Sequence, residues 1–277
     1  MKRFRFITII TIAGAHLIGC AGPPDVDIDG EVLAPPAETL AGPIGANGMN
    51  PAHFWAPATQ SALRTLGGQA LASGGALAAT PLLDTAGGAG VLGYVVRCAL
   101  PEGATVTSAG GAAFQGALGL APDWTGRALT TSEQRWVTAC LLQHLNGLAA
   151  SVPVMLEGSH PALDPRPGES TSAFSVEDIT TFGNVFVPAL FPAYACFDSL
   201  LQDGCGLDLS LHSLTRLCGL APLCGVTVLG PCALHCTDDG AGDPACQVLL
   251  GPSYPQSIRS SVQDTDLLAL YPGCDLL

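Results

Sequence analysis

Lysine is almost missing from this chain. Lys2 is the only one, and Lys plus Arg number 10 against 23 acidic residues, for a net charge of −13. Nucleic acids are held by clustered Lys and Arg, so a nucleic-acid partner is excluded. Charge of either sign is scarce at 12%, about half the roughly 25% of an ordinary soluble domain. No apolar run reaches the about 20 residues that a bilayer-spanning helix needs. There is no Gly-x-Ser-x-Gly elbow and no His-Glu-x-x-His zinc motif, which removes the common hydrolase signatures. What the chain does have is 34 Gly, 22 Pro and 11 Cys in 277 residues. So many cysteines point to disulfides outside the cytoplasm, or to metal, and an odd number leaves one with a separate task.

The N-terminus has the pattern of a targeting segment. Lys2, Arg3 and Arg5 form a basic head, and Phe6 to Ile18 forms a short apolar stretch. The stretch ends in Leu17-Ile18-Gly19-Cys20, which resembles the lipobox of bacterial lipoprotein precursors. The resemblance implies cleavage before Cys20, a diacylglycerol on its sulfur and acylation of its new amine. It also implies that Ala21, which stands where Asp would favour the inner membrane, directs the protein to the outer membrane. Two or three acyl chains anchor stably, since each buried methylene contributes about 0.8 kcal/mol. The bilayer would then be a partner through Cys20. An ordinary signal peptide cut after Ala13-Gly14-Ala15 is the alternative, and it would release a soluble protein.

Lipidation of Cys20 would leave an even set: Cys98, Cys140, Cys196, Cys205, Cys218, Cys224, Cys232, Cys236, Cys246 and Cys274. These are the disulfide candidates. Cleavage would also remove the only lysine, leaving seven Arg against 23 acidic residues, a balance of −16. Such a surface is repelled by anionic headgroups, so the acyl chains would be the membrane contact.

Segment composition suggests four parts: a signal peptide over 1–19, a lipidated Cys with a disordered acidic Pro-rich tether over 20–57, an α+β core over 58–195, and a Cys-rich C-terminal subdomain over 196–277. The tether contains Asp25-Val26-Asp27-Ile28-Asp29-Gly30, half of a calcium loop in which Asp25, Asp27 and Asp29 are alternate oxygen ligands. The position that should carry a bidentate Glu is Pro36, so an acidic spacer is the preferred reading.

Within the core, Ser61 to Ala79 carries loosely helical apolar spacing broken by Gly pairs. Val91 to Leu100 has a helical stripe, with a strand as rival because of Val95-Val96. Thr131 to Gly147 is the clearest helix: Thr130 and Glu133 form a capping box ahead of one apolar face. Val152 to Leu156 reads as a strand whose early Pro153 marks an edge or a start. Ala112 to Leu120, Ala173 to Val176 and Phe182 to Val187 are further strand candidates, Ser159 to Thr171 a loop, and Leu207 to Leu217 a short helix. Helices mixed with short strands indicate α+β. The segments Val95 to Leu100 and Gln134 to Gly147 are also loosely similar to secreted lipoproteins of high-GC bacteria that have no assigned activity.

Several patterns could carry chemistry. Gly88-Ala89-Gly90-Val91-Leu92-Gly93 fits the dinucleotide fingerprint, but no clean strand precedes it and no acidic residue follows about 20 positions on. No cofactor is therefore assigned. Cys140 and His144 share a helix face and would suit a metal or a thiolate with its base; pairing of Cys140 with Cys98 is the preferred alternative. Cys232, His235 and Cys236 lack the zinc-knuckle spacing, so disulfides are preferred there too. His160 lies near Glu157 and Asp164 in a Pro-rich loop, and Trp55, Trp124 and Trp136 could stack a ligand or pack in the core. The function expected is thus a cell-envelope lipoprotein acting as a non-catalytic binding or structural module. The alternatives are a secreted hydrolase with an unfamiliar site at His144 or His160 and a structural zinc protein.

Overall fold

Prolines and caps, rather than long periodic runs, start half of the α-helices named below. In the computed structural model, which describes residues 43–148, 151–189, 192–197, 209–219, 224–238, 240, 243–249 and 251–271, β1 (Ile44–Asn47) is followed by α1 (Pro51–Phe54) and α2 (Pro57–Gly67). Both helices have Pro in the first turn, where its missing N–H costs nothing, and the Asn50 side chain accepts from the Ala52 N–H at 2.9 Å. Next come β2 (Ala72–Ser73), β3 (Ala76–Leu77), α3 (Gly88–Ala99), β4 (Thr105–Thr107), β5 (Ala113–Gln115), α4 (Thr131–Gln143), β6 (Val152–Glu157) and β7 (Val176–Gly183). The C-terminal part adds β8 (Ala193–Phe197), α5 (Leu209–Cys218), β9 (Val226–Pro231), β10 (Cys236–Asp238), β11 (Pro244–Gln247), β12 (Ser253–Tyr254), β13 (Ile258–Val262) and α6 (Leu267–Leu270). The fold is α+β.

The principal sheet runs β1-β6-β13-β7-β8-β9. Its pairs are antiparallel except β8 with β9. The helix α4 lies across β7, β13 and β6. It begins with the expected capping box, Thr130 and Glu133 satisfying each other's backbone N–H groups. Its residues from Trp136 to Gln143 are all buried. The inward row of β6, Val152, Val154 and Leu156, meets Val137 and Leu141 of α4 and Ile258 and Val262 of β13 in one core. Pro153 sits at the start of β6, opposite Ala46 and ahead of the first residue paired with β13. There its absent N–H disturbs only one neighbour.

Two sequence boundaries move. Residues 43–57, expected to be disordered tether, belong to the fold: β1 pairs with β6, and Phe54 and Trp55 are core residues. The Pro content masked a segment whose few apolar side chains are core anchors. Residues 196–277 are also not a separate subdomain, because β13 fills the middle of the principal sheet between β6 and β7. Cys20, Asp25, Asp27, Asp29, Cys205 and Cys274 lie outside the described residues.

The glycine motif over 88–93 opens α3, where its first residue and the preceding Gly87 allow close packing while Gly90 faces open space. A Cβ at Gly87, whose φ is +67°, would lie 2.0 Å from the His53 ring, and one at Gly88 would lie 1.8 Å from the Leu82 carbonyl. The turn ahead of it is a 3-10 helix (Pro81–Asp84), not the strand that a dinucleotide site requires.

Candidate functional site

Each of the eight cysteines among the described residues is in a disulfide: Cys98–Cys140, Cys196–Cys232, Cys218–Cys224 and Cys236–Cys246. The first fastens α3 to α4, the pairing expected from sequence. The third spans the end of α5 and the approach to β9. The second joins the end of β8 to the 3-10 turn after β9, and the fourth staples the directly opposed pair of β10 and β11.

His144 caps the C-terminus of α4 and is fully buried. Its Nδ1–H donates to the Ala46 carbonyl at 2.9 Å, which fixes the neutral tautomer, and its ring packs 5.0 Å from that of Tyr94. Burial pushes its pKa down to about 4, and the charge of Arg97 adds to this. His144 lies within 4.8 Å of both sulfurs of Cys98–Cys140, but sulfurs in a disulfide are not thiolate ligands. The Nε2 atom has no hydrogen-bond partner.

His160 makes no hydrogen bond to the carboxylates that flank it in sequence, although the Asp164 charge is close enough to act on it. Its Nδ1 accepts from the Ala162 N–H at 3.1 Å, capping a 3-10 turn, and its ring meets Trp136 edge-on at 5.3 Å. Burial lowers its pKa. Neither His144 nor His160 hydrogen-bonds to a carboxylate, hydroxyl or thiol, so neither has the partner of a nucleophile's base. The tryptophans are core residues: Trp55 donates to the Leu217 carbonyl at 2.8 Å and Trp124 to the Gln69 carbonyl at 3.0 Å.

Glu157 and Asp164 do share a site. On the sheet face away from α4, a cleft of about 380 Å³ opens between β6, β7 and β13. Its floor carries Met155, Glu157, Glu177 and Arg259, and its rim includes Asp164 and Asp243. Arg259 donates to Glu177 at 3.0 Å, and the Ser261 hydroxyl to Glu157 at 3.3 Å. Four carboxylates around one guanidinium give the cleft a negative field suited to cationic or hydroxyl-rich ligands. The alternation on β6 could have revealed Glu157. Glu177 and Arg259 come from strands far apart in sequence, so only the register brings them together.

A second polar group, missed from sequence, lies under α4. Arg216 of α5 pairs with Asp178 of β7, and Asp178 also accepts from the hydroxyls of Tyr271 and Ser260. Arg216, Asp178 and Tyr271 are fully buried. Burial alone would lower the Arg216 pKa, but Asp178 and Tyr271 hold it up. Burial and then the Asp178 charge raise that of Tyr271 well above the usual phenol range. This enclosed group locks α5 and the residue after α6 to β7, and it offers no path for a substrate.

No protein-family model, no curated protein and no solved structure matches this chain.

Proposed function

We propose that this protein is an exported lipoprotein of the cell envelope, anchored by acyl chains on Cys20, most favourably in the outer membrane. Its body acts as a non-catalytic binding or structural module. The observation that carries the reading is the cysteine arithmetic. One sulfur stands in a lipobox, and every described cysteine beyond it is oxidised in a pair. Four disulfides in one chain are typical of an oxidising compartment and rare among cytosolic proteins. The acidic cleft on the open sheet face is the place for a ligand, because it combines concavity with converging polar groups.

Mass spectrometry of the protein extracted from membranes tests the reading. The expected N-terminal peptide begins at Cys20 and carries diacylglycerol and an amide-linked acyl chain. An unmodified N-terminus at residue 16 would overturn the anchor.

A further inference from the structure

The disulfides Cys196–Cys232 and Cys236–Cys246 do not stand alone. The Sγ atoms of Cys196 and Cys236 are 3.5 Å apart, and those of Cys196, Cys232 and Cys236 all lie within 4.8 Å of one another. We propose that these two bonds form one thiol–disulfide exchange site, at which an external dithiol drives formation of a Cys196–Cys236 bridge.

Exchange needs a thiolate held against a disulfide sulfur. A separation of 3.5 Å is a near-attack distance, at which a bimolecular step becomes effectively unimolecular. Access is graded in a useful way. Cys196 and Cys246 are buried, whereas Cys232 and Cys236 are half-exposed. The incoming thiolate therefore attacks Cys232, breaks Cys196–Cys232 and forms a mixed disulfide, with the Cys196 sulfur leaving as thiolate. The Cys196 thiolate then attacks Cys236, forming Cys196–Cys236 and expelling the Cys246 thiolate, which takes a proton from solvent. The second thiol of the reductant, on losing its proton, attacks its own sulfur in the mixed disulfide. That step closes a cyclic disulfide and releases Cys232, which is protonated in turn. The dithiol has lost two electrons and two protons, and the protein has gained both.

The exchange changes which sheets are tied together. Before it, one bond stays at the β8–β9 corner and the other within the β10–β11 hairpin. After it, Cys196 of β8 is fastened to Cys236 of β10, so the three-stranded sheet β10-β11-β12 is pinned directly to the principal one. Cys98–Cys140 has His144 beside it instead of a third cysteine, and serves as an internal control.

The test treats the purified full-length protein with limiting dithiothreitol, quenches it in acid, alkylates with N-ethylmaleimide and maps peptides without reduction. The expected product joins Cys196 to Cys236, carries adducts on Cys232 and Cys246, and keeps Cys98–Cys140 closed. Products with adducts on Cys196 and Cys232, or on Cys236 and Cys246, with the other bond intact and no Cys196–Cys236 peptide, would overturn the proposal. Cys246→Ser supplies a second arm without reductant. It should divide its adduct between Cys236 and Cys232, because the freed thiol exchanges into the neighbouring bond. An adduct on Cys236 alone refutes exchange. If that variant fails to fold, the wild-type mapping decides.

Discussion

Beneath α4, the inner rows of β6, β13 and β7 join α3, α2 and α1 in one continuous apolar core. Among the described residues, the three-stranded sheet β10-β11-β12 encloses only Phe182, Cys246 and Tyr254, with Tyr194, Leu229, Cys236 and Val248 partly buried around them. It also leaves Leu234 and Leu249 exposed nearby, at 76% and 83%. In the first region a disulfide supplements burial that is already large. In the second, the Cys236–Cys246 bond supplies one of the three buried residues and one of the partly buried ones, as expected where too few residues exist to close a core. The same covalent bond therefore has two roles, reinforcement in one place and replacement of missing packing in the other.

The sharpest way to break the contrast is to attack the large core where it is polar. Asp178→Ala leaves Arg216 buried without its carboxylate, so stability should fall by about 3–5 kcal/mol, read from urea unfolding. A change below about 1 kcal/mol would mean that the guanidinium finds other partners. Removing Cys98 and Cys140 together opens a closure of sequence separation 42 and should cost about 3–4 kcal/mol from loop entropy. The variant should stay folded, with cooperative unfolding by circular dichroism, because the apolar contacts between α3 and α4 remain.

His144 supplies a pH test of the same region. Its pKa is about 4 in the folded protein against an ordinary 6.5, so the unfolded chain binds more protons between those values. Stability is therefore full above pH 6.5 and declines as pH falls toward 4, with a slope of at most about 1.4 kcal/mol per pH unit from this group. His160, also shifted down, adds a contribution of the same sign. His144→Gln should flatten the larger part of the slope in thermal melts between pH 4 and 7, and an unchanged slope would sink the assignment.

In the small sheet, replacing Cys236 and Cys246 by Ala opens a closure of separation 10, with an expected cost of about 2–3 kcal/mol. The loss should be local. Amide exchange should speed up in β10, β11 and β12 and stay slow in β6, β7 and β13. Uniform acceleration would erase the distinction between the regions. The smallest effect belongs to the helix cap: Thr130→Ala removes one side of the capping box and should cost about 1 kcal/mol.

Local signals in the sequence were reliable where a short-range mechanism decides the outcome. Thr130 and Glu133 specify the start of α4 by themselves, and the stripe through Val91, Val95 and Cys98 overrides the β preference of Val95-Val96 because its buried face fits α4. The pairing of Cys98 with Cys140 was legible because both stand on helices with one apolar face. Long-range register was not legible. Phe182 to Val187 looks like a strand, whereas β7 ends at Gly183, where the chain turns and Asn184 donates to the Pro192 carbonyl. The Arg216–Asp178–Tyr271 group was hidden for the same reason: its members are separated by 38 and 55 positions, and a charged residue in isolation reads as surface. Of the cleft, only Glu157 and Asp164 were visible, and they were grouped with His160, whose ring packs on Trp136 instead.

The position of β13 affects how the chain can fold as it is made. Residues 258–262 fill the gap between β6 and β7, strands that begin at residues 152 and 176. A nascent chain that has not yet released Val262 has two unfilled strand edges facing each other and cannot close its sheet. The principal sheet therefore closes only once β13 has been made, whatever the earlier helices have already packed. Until then β6 and β7 keep exposed edges that another strand could fill.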